Sequence, residues 1–90
     1  MTVSIPEESS EVVRSTIKKE IKRLKTKKKA FREILAKYEK KVGLSSQEFI
    51  KKFKDGKMGD DQILFEWYAD LETYHRITKK LELLEKVKFD

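Results

Sequence analysis

Eight positions set alternately four and three residues apart, Ile17, Ile21, Leu24, Lys28, Phe31, Leu35, Tyr38 and Val42, constrain this chain more than any other feature. Only Lys28 breaks their apolar character. A repeat of about 3.5 residues lines such positions up on one stripe of a long helix, and that stripe must be covered by another helix. The segment therefore specifies association, within the chain or with a second molecule. It specifies no chemistry.

A chain of 90 residues with 38% hydrophobic content forms one small domain, near the size at which a single core leaves little net stability. Cysteine is absent, so neither disulfides nor thiolate metal sites reinforce that core. Residues 1–10 carry Glu7 and Glu8 but no basic stretch or apolar run, so no signal peptide is expected. The longest apolar run, Ile63–Phe65, falls far short of the ~20 residues of a membrane span. A soluble, cytoplasmic protein with no membrane partner is expected.

The formal charge of +6 is unevenly placed. Residues 14–41 hold 13 Lys and Arg against 3 Glu, whereas residues 42–90 hold 9 basic and 10 acidic groups. The positive field thus belongs to the first helix. It suits phosphate backbones or an acidic protein surface, and it makes association salt-dependent. The plainer reading is a Lys-rich face that keeps a small bundle in solution.

Punctuation divides the chain into a long helix over 6–42, a short helix over 46–54 and a second long helix over 61–86. Pro6 suits the first turn of the first helix, with Ser4 or a serine of the Ser9-Ser10 pair as its cap, and Gly43 suits a left-handed residue after its end. Ser45 and Glu48 have the spacing of a capping box, and Leu44 and Phe49 that of a hydrophobic staple. Asp55-Gly56-Lys57-Met58-Gly59 reads as a tight loop, followed by Asp60 or Asp61 as cap. On the last helix Leu64, Trp67, Tyr68, Leu71, Tyr74, Thr78 and Leu81 mark a face that drifts onto Ile77, Leu84 and Val87. The expected fold is all-α: an antiparallel helical hairpin of long helix, short lid and long helix. Ile34 and Tyr68, flanking the stripes, favour a homodimer in which two hairpins form a coiled-coil-like four-helix bundle.

Chemistry is sparsely signalled. Glu72 and His75 form one Glu-x-x-His pair of the kind that ligates carboxylate-bridged di-iron bundles, and a dimer would supply it twice. If Val42 pairs with Gln62, however, His75 meets Lys27, Lys28 and Lys29, whose charges repel a metal. The same register suggests that Lys28 pairs with Glu72 and sets alignment at some loss of stability. No nucleophile accompanies His75 at triad spacing, and Asp55, Asp60 and Asp61 do not follow the EF-hand order. The sequence therefore predicts neither an enzyme nor a cofactor or metal site.

Leu44-Ser45-Ser46-x-Glu48-Phe49, Phe53, Gly56-x-x-Gly59-Asp60-Asp61 and Phe65-Glu66-Trp67 resemble a group of short archaeal and bacterial antitoxin-like helical proteins. The likeness covers roughly residues 43–85. It implies a non-catalytic module that binds and masks a partner protein, a toxin encoded in the adjacent gene. The basic first helix departs from the acidic character of many antitoxins. In the protein-binding reading the anchors are Phe49, Phe53, Trp67, Tyr68 and Tyr74, although their periodicity suits core packing equally. In the alternative, a basic nucleic-acid-binding or architectural protein, Lys22, Arg23, Lys25, Lys27, Lys29 and Arg32 contact phosphates or an acidic partner without a base-reading motif.

Overall fold

A computed structural model of the chain describes the backbone of residues 2–3 and 7–89 and the side chains of residues 9–87. Among these residues the helices are α1 (Glu7–Val42), α2 (Ser46–Lys54) and α3 (Gln62–Glu85). The expected long, short, long order is what forms. One addition is a two-residue parallel strand pair, β1 (Thr2–Val3) with β2 (Lys88–Phe89). Such short strands leave no alternating apolar pattern to read.

Helix ends follow local chemistry, with two departures from expectation. Ser9 and Ser10 lie inside α1, so neither caps it, and Ser4 and Pro6 lie outside the described residues. Asp61 occupies the N-cap position of α3 in extended backbone, but its side chain makes no capping bond; the Asp61 carbonyl accepts from Leu64 N–H at 3.0 Å. Ser45 does cap α2, accepting the Glu48 N–H at 3.1 Å. Its hydroxyl also donates to the Glu48 carboxylate at 3.1 Å. The end of α2 is a Schellman turn, in which Lys57 N–H reaches the Lys52 carbonyl and Gly56 N–H that of Phe53. Gly56 sits at φ +71°, where only glycine is unstrained.

The long helices run antiparallel. Leu24 of α1 packs with Ile77 and Leu81, while Leu35, further along α1, packs with the earlier α3 residues Leu64, Trp67 and Leu71. These two clusters make the core, one at the open end and one under the lid. Between them lies the middle of the seam, where Lys28 extends its ammonium 5.9 Å from the Tyr74 ring centre. The whole measures 55 × 22 × 17 Å, a rod set by the length of α1. Among the described residues only eight apolar side chains are buried, and Val12, Ile34, Phe65 and Leu83 stay exposed.

Candidate binding surfaces

Two features were expected to meet a partner, the aromatic residues and the basic helix. The structure separates them. Phe49 of α2 stacks on Trp67 of α3 with centroids 3.9 Å apart and rings 5° from parallel. Tyr38 of α1 stacks on Trp67 from further away at 5.8 Å, and Phe53 continues the array onto Tyr68 at 4.9 Å and Phe65 at 5.4 Å. Phe49 and Trp67 are both 0% exposed. They hold the lid to the hairpin and cannot touch a partner of the folded chain, which corrects their assignment as anchors. Phe53, Tyr68 and Tyr74 are half-buried, packed against that same core.

Polar contacts join the array to all three helices. Ser46, the first residue of α2, donates its backbone N–H to the Glu39 carboxylate at 2.7 Å and accepts the Trp67 indole N–H at 3.2 Å. Tyr38 donates to Asp70 at 2.8 Å. Burial, reinforced by that carboxylate, pushes the Tyr38 hydroxyl up to about 12. The Tyr68 hydroxyl is also raised, first by the charge of Glu72 one turn along α3. No buried side-chain polar atom among the described residues lacks a partner.

Glu72 therefore faces Tyr68, and Lys28 stands over Tyr74 instead. No Lys28–Glu72 ion pair forms among the described residues. The reason lies in azimuth: Glu72 is one residue past the buried Leu71, which turns it about 100° off the seam. His75 is exposed beside Tyr74, and no group of three His, Asp or Glu among the described residues is placed to hold a metal ion.

The basic helix divides by face. At about 100° per residue, Lys22, Lys25, Lys29 and Arg32 fall within one sector of α1 roughly 80° wide, joined by Lys18, which the sequence reading omitted. All five are exposed. Lys18, Lys22, Lys25 and Lys29 ring a shallow concavity of about 500 Å³ floored by Ile21 and Thr26, with no carboxylate in its lining. Arg23 and Lys27 point away from this sector. Arg23 is held by Glu20 at 2.6 Å, and Glu20 also reaches Lys80 of α3 at 3.5 Å. The Arg23 hydrogen bond, with the two cations, lowers the Glu20 carboxyl to about 2. Glu20 is the only carboxylate between Lys18 and Arg32, and it faces the other flank. Helical spacing could have picked out Lys18; charge counting alone could not.

The row ends at a cleft of about 440 Å³ where the three helices meet, floored by Leu35, Ile50 and Leu71 and rimmed by Arg32 and His75. No described helix is long and apolar enough to cross a membrane. Comparison with family models, with curated proteins and with solved structures finds no match to this chain.

Proposed function

We propose that this chain is a non-catalytic helical binding module whose partner surface is the basic outer face of α1. The observation that carries the reading is the exposed row Lys18, Lys22, Lys25, Lys29 and Arg32, with no carboxylate lining the concavity among its lysines, on a rod whose Phe49 and Trp67 are spent on its own core. Convergent cations raise the local concentration of an anionic partner and steer its approach. Masking a partner protein, as the antitoxin-like resemblance implies, is one form of this role. It requires an acidic partner surface. Pairing of two hairpins into a four-helix bundle belongs to the same proposal, supported by the small core and by Ile34, nine residues from Lys25 and so on the opposite flank.

Titration calorimetry with poly-glutamate at low salt tests the reading. Changing Lys22, Lys25 and Lys29 to Gln should weaken binding at least tenfold. Removing the same charge from other faces, with Lys19, Lys27 and Lys41 changed to Gln, should weaken it no more than about threefold. Equal losses in the two triple variants would show that net charge, not this face, governs binding.

A further inference from the structure

The row has a length, a spacing and a chemistry that narrow its partner. From Lys18 to Arg32 is 14 residues of uninterrupted helix, on the order of 21 Å at 1.5 Å per residue. Five cations along it stand about 5 Å apart. A nucleic-acid duplex carries one phosphate per about 1.7 Å of axis, so about a dozen fall within the length of a 21 Å row, and the row meets those wound onto the facing side. Uninterrupted helix over this stretch keeps the five cations on one face. A flexible acidic segment would need no such line.

The face also lacks what single strands use. Binding of unpaired bases relies on exposed aromatic platforms. Among the described residues the aromatic side chains are packed at the lid end or in the seam, and the exposed Phe65 lies on α3. Nor does the row offer the Asn or Gln side chains that read adenine edges; its members are Lys with one Arg. Closely spaced charge without stacking platforms suits a duplex backbone, whose phosphate contacts carry no sequence information.

Resting on the binding-face reading above, we infer that the row Lys18, Lys22, Lys25, Lys29 and Arg32 docks along the phosphate backbone of double-stranded nucleic acid. The neighbouring concavity between α1 and α3 is mostly apolar and holds Glu85, so the row itself, not that recess, carries the backbone contact. Each engaged cation releases condensed counterions, so affinity falls steeply with salt.

Fluorescence anisotropy with a labelled 20-base-pair duplex of arbitrary sequence, at several salt concentrations from 50 to 200 mM, tests this. The expected slope of log K against log salt is about −4.5 for five phosphates neutralised. Lys25→Gln with Lys29→Gln should flatten the slope by about 1.8, while Lys27→Gln with Lys41→Gln leaves it unchanged. The same-length single strand should bind at least fivefold more weakly. A duplex that fails to bind at 50 mM salt, while poly-glutamate is still held by the same row, overturns the inference and leaves the binding-face reading standing. Failure of both polyanions removes both. Tighter binding of the single strand, or an unaltered slope in the Lys25 and Lys29 variant, also overturns the duplex assignment.

Discussion

The Trp67 indole N–H donates to the Ser46 hydroxyl at 3.2 Å, while the Ser46 backbone N–H donates to Glu39, so one residue at the start of the lid bonds to both long helices. This junction fixes where α2 lies. It also explains why Phe49, three residues on, meets the Trp67 face at stacking distance. Ser46→Ala removes the indole's acceptor and should lower unfolding free energy by about 1 kcal/mol in urea titrations. No change would mean that water replaces the hydroxyl without loss.

Trp67→Ala should be far more damaging, by about 3–5 kcal/mol, because it empties the centre of the lid-end core. Affinity of the remaining folded fraction for poly-glutamate should stay within about twofold of wild type. A variant that folds as well as the parent but no longer binds would return Trp67 to the partner surface.

Much of this arrangement was legible in the sequence. The 4-3 ladder gave the seam, Leu44, Ser45, Glu48 and Phe49 gave the lid's start, and the pairing of Val42 with Gln62 gave a register that the Leu24–Ile77 and Leu35–Leu71 packing bears out. Periodicity reports which side of one helix is apolar, and so it reaches that far. It could not tell a buried aromatic from a partner anchor, because an apolar face reads the same whether the chain's own lid or another molecule covers it, and only the sideways position of α2 decides which. The same limit hid the Glu39–Ser46 bond and sent Lys28 to Glu72 in place of Tyr74.

Lys28→Leu places an apolar side chain in the seam between the two core clusters. It should raise the melting temperature by a few degrees, corresponding to about 1 kcal/mol. Glu72→Gln should change stability by less than about 0.5 kcal/mol, since it breaks no cross-hairpin ion pair. A double-mutant cycle that found strong coupling between positions 28 and 72 would contradict this placement.

Tyr38 and Glu20 give opposite limbs of a stability profile in pH. The Tyr38 hydroxyl is raised to about 12 in the folded chain, against an ordinary value of 10.0. Its contribution is therefore complete below pH 10 and is lost as pH climbs towards 12. Glu20 is lowered from 4.5 to about 2, so its contribution is complete above pH 4.5 and is lost as pH falls towards 2. Urea midpoints of the parent should converge on those of Tyr38→Phe at the alkaline end and on those of Glu20→Gln at the acid end. Parallel curves across either window would show that the pair concerned does not act in the folded state.

Gly56→Ala isolates a backbone effect. A Cβ there meets nothing within 4 Å, yet the φ of +71° is strained for an L residue. The substitution should lower stability by about 1–2 kcal/mol with no change in the near-ultraviolet signal of the aromatic array. A loss beyond this would reveal a packing role for the turn.

The central claim, that the outer face of α1 and not the aromatic end is the binding surface, is tested most directly by residue-resolved amide shifts of the ¹⁵N-labelled protein during titration with a short duplex at low salt. Perturbations should run along α1 through Lys18, Lys22, Lys25, Lys29 and Arg32 and leave Phe49 and Trp67 unmoved. Shifts concentrated on α2 and the start of α3, or none along α1 with either the duplex or poly-glutamate, would contradict it.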